Sequence, residues 1–362
     1  MSLRIKIWLH VPSTPSFIDQ WNYLFQAAER KEIFNSYEWV KACAECIGPR
    51  RIALIAGFDK DRLVGLAPIS MYRGVIEWLT GHWSDYCDFL SYSSYHSNFF
   101  SACCNYLRNR YTDWQRIKLS NVPENTSILK TLKDSRTCFE YGYTWTYKNT
   151  EPILDFDNAS QEELKTILQK KGVERKIKTL SRNGILEYRM AEDAADIKEL
   201  LKMFSAWHVQ RFASLGLHSC FNPKERNTLY DVMTNLCSGP LTSIKLCIPV
   251  LWFNHKPIAM YIAFRLGKDL RLYSTAFDEG WSKNSPGEIL TYLMVRSCNE
   301  QRLSKIDFGI GSQSYKLRFA NSFRKGYELI IYRHRWQMNL AAAFERLRLF
   351  AKQPIQGNHY GR

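Results

Sequence analysis

The stretch DFGIGSQSYKLRFA, residues 307–320, places a carboxylate, two glycines, a tyrosine, a lysine and an arginine within a short span after the apolar Ile306. Such a set suits the handling of an anion or of a proton. Three phosphate-binding motifs are excluded. A P-loop requires Gly-Lys-Ser/Thr, a dinucleotide loop requires a third glycine where Ser314 stands, and the kinase motifs are otherwise absent. A second stretch with chemical content is DEGWSKNSPGEIL, residues 278–290. Ser285, Pro286 and Glu288 fit an N-cap, a first helical position and a capping-box partner, so a helix is expected to start here. Gly287 removes a side chain where backbone N–H groups and the positive helix end face outward. Asn284, Ser285, Pro286, Gly287, Glu288 and Ile289 are therefore expected to form an anion site.

The elements around these stretches are legible from periodicity. Ser36–Cys46 reads as a helix, and Ser160 with Glu163 makes a capping box for another. A long helix over 192–212 carries Ile197, Leu200, Leu201 and Phe204 on one face, which continues to His208 and Arg211. Strands are expected at 244–253, 257–266 and 269–277, then a loop, a helix and the strand entering Asp307. A strand, the SPG loop, a helix and a strand ending in DFG form the arrangement in which a pyrophosphate rests on the helix start and a thioester arm lies along a splayed strand. The implied ligand is coenzyme A. The apolar pattern of the hairpin at 51–69 recurs without gaps at 245–263, an offset of 194, with the polar turn 59–62 falling on 253–256. Two copies of one fold are expected. They divide near 148–152 into residues 1–150 and 151–335, followed by a basic amphipathic helix and tail over 336–362, which is expected to cover a core, with contact to a membrane as the alternative.

The chain has 362 residues, 45% of them hydrophobic, enough for two cores. No apolar run approaches the roughly 20 residues of a membrane-spanning helix, and the start carries no secretory pattern, so a cytoplasmic location is expected. Ten cysteines are scattered, and the one C-x-x-C, Cys43 and Cys46, has no second ligand pair; buried thiols and no metal follow. The formal charge of +15 favours anionic partners.

The second half resembles the acetyltransferase domain of the CelD/BcsL family, a branch of the GNAT superfamily related to the FemABX aminoacyltransferases. The residues carrying the resemblance are RKIKTLSRNG, WHVQRF with Gly216 after it, the SPG loop, and Asp307, Phe308, Gly311, Tyr315 and Lys316. In the first half they are NSYEWV, LVGLAPI and GHWSDYCDFL. The usual GNAT phosphate loop, Q/R-x-x-G-x-G/A, is replaced by SPGE. The resemblance implies an α/β (α+β) fold of two tandem GNAT-like domains, each a mixed, mostly antiparallel sheet flanked by helices. It implies acetyl-CoA or another acyl-CoA as co-substrate. The reaction implied is N-acylation of an amine, that of a nucleotide-linked amino sugar in surface polysaccharide assembly. Transfer of an acyl group to an amine needs a route for the amine proton and a cation for developing charge. Asp307 and His208 are the acid/base candidates, sitting where burial and charge partners raise a carboxylate or tune an imidazole. Arg211, Tyr315 and Lys316 are expected to hold an anionic acceptor. Arg175, in a basic run of seven Lys/Arg from Lys165 to Arg182, is expected to steer a sugar nucleotide. Asp85 and Tyr86 are expected to reach the cleft from the first domain. Two other readings stand: a tRNA-dependent aminoacyltransferase and a non-catalytic binding module.

Overall fold

The computed structural model describes residues 3–29, 31–47, 54–124, 126–134, 142–223, 229–238, 244–311 and 313–352. Residues 51–53 of the first hairpin, Ser312 and the tail 353–362 lie outside the described residues. The first half contains β1 (Arg4–Trp8), α1 (Pro15–Ala27), α2 (Tyr37–Cys46), β2 (Leu54–Asp59), β3 (Arg62–Ala67), β4 (Ile69–Tyr72), β5 (Val75–Trp78), β6 (Leu90–Ser91), α3 (His96–Arg110), β7 (Arg116–Pro123), α4 (Ser127–Asp134) and β8 (Gly142–Asp155). Helices α5 (Gln161–Leu168) and α6 (Lys171–Ser181) connect it to the second. That half contains β9 (Leu186–Ala191), α7 (Ala194–Ser214), α8 (Leu229–Ser238), β10 (Lys245–Phe253), β11 (Lys256–Leu266), β12 (Asp269–Phe277), α9 (Pro286–Glu300), β13 (Lys305–Asp307), α10 (Ser314–Leu317), β14 (Ser322–Tyr332) and α11 (Arg335–Lys352).

Local chemistry accounts for several of these elements. The Ser36 side chain caps α2 by accepting from the Trp39 N–H, and the Ser160–Glu163 capping box opens α5. Both halves then run strand, two helices, antiparallel strands, helix, strand, helix, strand. The two hairpins turn through corresponding pairs, Lys60–Asp61 and Asn254–His255, as the offset of 194 requires. Pro68 cannot donate a ladder hydrogen bond and splits one strand of the first half into β3 and β4. At the corresponding place in the second half the ladder also breaks, but by a bulge. Ile262 pairs with Ser274 and Ala263 with Leu272, leaving Tyr273 as the extra residue of β12.

The strands form one sheet in the order β1-β2-β3-β6 and a ten-stranded sheet in the order β4-β5-β7-β14-β8-β13-β12-β11-β10-β9. The halves thus have the expected mixed, mostly antiparallel character, with one difference: their last strands are exchanged. The final strand of the second half, β14, lies between β7 and β8, and β8 lies between β14 and β13. The expected boundary at 148–152 falls inside β8, so no linker separates the halves there. Helix α11 covers the β8–β14 end of the sheet as expected, setting Met338 against Gly142.

One face of the ten-stranded sheet carries the core beneath α9, where Leu154, Ile289 and Ile306 meet, and the core around Phe99 of α3 joins the four-stranded sheet to the ten-stranded one. The other face carries the core beneath α2, α7 and α8 around Trp39, Phe204 and Phe264. Cys43 and Cys46 are buried free thiols within it. Among the described residues no group of three or more His, Cys, Asp or Glu is placed to hold a metal ion. No helix there is long and apolar enough to cross a membrane.

Candidate active site

Strand alternation places a set of charges on one face at the centre of the sheet. In register across β12, β13, β8 and β14, Arg271 lies beside Asp307, Asp307 beside Ile153, and Ile153 beside Ser322; two positions on, Glu151 lies opposite Arg324. The intervening residues Leu270, Ile306 and Leu154 point into the core on the opposite face. The loop 84–89 of the first half brings Asp85 and Tyr86 onto this charged row. The Tyr86 hydroxyl donates to Asp307 Oδ1 at 3.0 Å. Its ring lies between two guanidiniums, with the Arg271 carbon 3.8 Å and the Arg324 carbon 4.0 Å from the ring centre. Arg271 Nη2 donates to Asp85 Oδ2 at 2.7 Å, and its Nη1 pairs with Asp307. Arg324 pairs with Glu151, with Glu32 at 3.3 Å and with Asp307 at 3.4 Å. A cleft of about 760 Å³ adjoins this row, lined by Arg271, Asp307 and Arg324 and also by Glu29, Lys31, Glu32 and Ile33.

These surroundings set the protonation states. Burial pushes Asp307 up, but the Arg271 and Arg324 charges, the Gly309 N–H and the Tyr86 hydroxyl outweigh it, and the carboxyl ends below its ordinary value. The expectation that Asp307 is raised into the range of a general base is therefore corrected: it is a held anion. Glu151, fully buried, moves the other way. Desolvation, only partly offset by Arg324, lifts it to about 7. Asp85 is likewise raised by burial.

β12 and β13 stay paired only as far as Arg271 and Asp307. Beyond that point β12 continues to Phe277, while the chain after Asp307 turns through Gly309 and Gly311, at φ 78° and 112°, into α10. The ladder between the two strands ends there. Gly309 is needed there: a Cβ would lie 3.1 Å from the Leu272 carbonyl oxygen and 3.4 Å from the Asp85 carboxylate, at a φ that side chains rarely adopt. Lys316 folds back towards the same place, donating from Nζ to the Ile310 carbonyl at 2.8 Å. Desolvation by burial lowers its pKa to about 8. The neighbouring Tyr315 joins Tyr261, whose hydroxyl lies 3.0 Å from that of Thr291, and Arg211 lies over the Phe277 ring at 4.9 Å.

His208 packs among phenylalanines. Its ring stacks on Phe212 at 4.1 Å and on Phe204 at 5.8 Å, and its Nδ1 is 2.8 Å from Ser219 Oγ. Burial, with Arg211 nearby, lowers its pKa to about 4, so it is neutral at physiological pH. None of these packing partners belongs to the Asp307 cluster.

The start of α9 departs from the expected capping box. Ser285 adopts a left-handed conformation, φ 53° and ψ 52°, and its side chain makes no cap. Its hydroxyl accepts from Lys176 Nζ at 3.0 Å, and Glu288 pairs with Lys176 and with Arg318, each at 2.6 Å. A Cβ on Gly287 would meet nothing within 4 Å. Asn284 closes the preceding 3-10 turn, Pro286 opens the helix, and Ile289 is fully buried and offers only its backbone. Arg175 is exposed on α6, while the next residue, Lys176, reaches the α9 start. Sequence reasoning missed Arg271, Arg324 and Glu151, and it noted Lys176 and Arg318 only as members of the basic run and of the 307–320 stretch. A signal was present for two of them: Arg271 in LRLYSTAF and Arg324 in SFRKGYELII are charges set into strand patterns.

The geometry can be set beside known proteins. Residues 169–317 match the family model of the acetyltransferase (GNAT) domain. No curated protein matches the sequence. Among solved structures, L-PGS from Bacillus licheniformis is similar with a TM-score of 0.59 at 11% identity, over 96% of this chain and 99% of that one. The C-terminal domain of a putative lysylphosphatidylglycerol synthetase from Agrobacterium fabrum is similar at 0.59 and 10%, over 91% and 95%. FemX is similar at 0.57 and 10%, over 90% and 98%. At such identities the likeness is one of fold. Residues 169–317 thus match the acetyltransferase (GNAT) domain, within a chain that shares its overall fold with these structures.

Proposed function

We propose that this chain, as its CelD/BcsL resemblance implies, moves an acyl group from acyl-CoA to the amine of an anionic acceptor, a nucleotide-linked amino sugar. The observation that carries the reading is the start of α9. It is a helix end without a side-chain cap, with open space at Gly287 and with Lys176 and Arg318 beside it, and it follows β12, whose pairing with β13 ends at Arg271. Those features fit a pyrophosphate. In this reading Lys176 and Arg318 exchange Glu288 for phosphate oxygens, and the acyl donor supplies the activated carbonyl. Lys316 brings a positive charge to the end of the β12–β13 ladder, where negative charge develops on the reacting oxygen. Asp307, as a held anion, positions Tyr86 and Arg271; the amine proton leaves through water or the acceptor's own groups. Arg211 and Tyr315 border the acceptor side.

A second reading, aminoacyl transfer from tRNA, draws on the seven Lys/Arg of α5, α6 and their flanks, and on the resemblance to the FemABX aminoacyltransferases. Titration separates the two. Acetyl-CoA is expected to bind the wild type, and Gly287→Trp is expected to weaken that binding more than about tenfold by filling the open space. Unchanged affinity in Gly287→Trp places the donor elsewhere. An absence of CoA binding together with charged-tRNA binding that falls steeply with salt favours the second reading.

A further inference from the structure

Three segments of the chain meet at one end of the ten-stranded sheet. Tyr332, the last residue of β14, pairs with Arg116, the first of β7. The Arg333 N–H donates to the Gln115 carbonyl at 3.0 Å, and the Gln115 N–H donates to the Gly74 carbonyl at 2.7 Å. The tip of the β4–β5 hairpin, the start of β7 and the start of α11 therefore share this end. Arg333 ties in the end of α3 as well, donating from Nη1 to the Tyr111 carbonyl at 2.6 Å.

The side chains this end presents are of two kinds. Tyr72 is 58% exposed at the hairpin tip, and along α11 Trp336, Leu340 and Phe344, spaced by four residues, are 61%, 50% and 63% exposed. Helical spacing by four makes the last three one stripe, opposite the Met338 side that meets Gly142. Around these apolar groups stand arginines. Arg73 lies over the Tyr72 ring at 5.2 Å, and Arg110, Arg116 and Arg335 are exposed nearby in the fold. The sequence of α11 itself holds Arg335, Arg346, Arg348 and Lys352 against Glu345.

We infer that this end of the molecule docks on a bilayer surface bearing anionic headgroups, with α11 lying in the plane of the interface. The chemistry matches each layer of such a surface. Leu340 and Phe344 reach the acyl boundary, Trp336 and Tyr72 sit at headgroup level with their polar atoms outward, and the arginines meet lipid phosphates. An RNA also attracts arginines, but it gives an aliphatic side chain such as Leu340 nothing to enter. No helix among the described residues crosses a membrane, so the binding is peripheral and reversible. It is separate from the acyl-transfer reading and stands without it.

The test is sedimentation of the full-length protein with phosphatidylcholine vesicles, with and without phosphatidylglycerol. The protein is expected to pellet with the anionic vesicles and to be released by salt. Arg73→Gln and Arg116→Gln are each expected to weaken binding about fivefold. Leu340→Glu with Phe344→Glu is expected to weaken it more than about tenfold. The changed groups are exposed, and an unaltered circular dichroism melt confirms that each variant folds. Slowed amide hydrogen exchange in α11 on adding anionic vesicles to the wild type is the supporting second measurement. The inference is overturned if the wild type stays in the supernatant, or if it pellets and the Leu340/Phe344 variant pellets equally. It is overturned too if the stripe variant instead abolishes self-association or binding of tRNA.

Discussion

Lys316 shows how a single buried cation gives the site a testable pH dependence. Its ammonium is charged below about pH 8 and neutral above, because desolvation by burial favours the neutral amine. If the charge holds an anionic acceptor, the acceptor KM is expected to rise as pH increases through about 8, and Lys316→Met should show a raised KM with no such inflection. The measurement is KM against pH for both proteins, with kcat affected less than KM if binding is uniform between ground and transition states. A wild-type KM that is flat through this range detaches Lys316 from the acceptor. The stability consequence has a fixed sign. The unfolded chain binds a proton here that the folded chain resists between about pH 8 and 10.5, so this group disfavours folding fully below that window and not above it. The sequence pointed to Asp307, Tyr86, Asp85 and Lys316, and the fold brings these four together. It did not reveal that two arginines from β12 and β14 hold Asp307 as an anion, because those partners arrive from strands whose register a sequence pattern leaves open. His208 was read from a helical face, and the face was right. What the face meets, three phenylalanines and a serine, was decided by the packing of residues up to Phe221.

Elements in this fold were legible wherever their signal is local. The three strands of the second half that were given ends, β10, β11 and β12, lie within a residue of them, and the capping box at Ser160 forms. The box expected at Ser285 does not, since Lys176 and Arg318 outcompete the backbone for Glu288. A different local feature anchors the first half. Gly57 and Gly65 stand opposite each other on β2 and β3, and the Phe99 ring from α3 lies flat on the pair. A Cβ on Gly65 would come within 2.4 Å of that ring. Gly65→Ala is therefore expected to destabilise the protein by about 1–3 kcal/mol through overpacking, read as a fall in the denaturant midpoint at constant slope. Adding Phe99→Leu to Gly65→Ala should recover part of that loss. A strictly additive double mutant argues against the ring as the cause.

At the scale of the whole molecule, the hairpin repeat at an offset of 194 correctly indicated two copies of one fold, down to the turn residues. The exchange of last strands was not legible: β8 and β14 were not among the expected strands, and a strand's sequence names no partner. The exchange makes the halves inseparable. Residues 1–156 and 157–362 expressed alone are expected to be insoluble, since each leaves the neighbours of a central strand unpaired, whereas co-expression should recover a soluble complex. A soluble monomeric 1–156 fragment on size exclusion contradicts this. The same exchange governs the timing of biosynthesis. β7 and β8 are complete by residue 155, but the strand that fills the gap between them ends at residue 332, 177 residues later. At synthesis rates of about 5–20 residues per second that interval is roughly 9–35 s. Throughout it the nascent first half presents the open edge of β7 and the whole 14-residue β8, whose neighbours β14 and β13 both come from the second half. The protein thus finishes its first domain last, and its yield in a cell depends on what shields those edges while the ribosome is still at work.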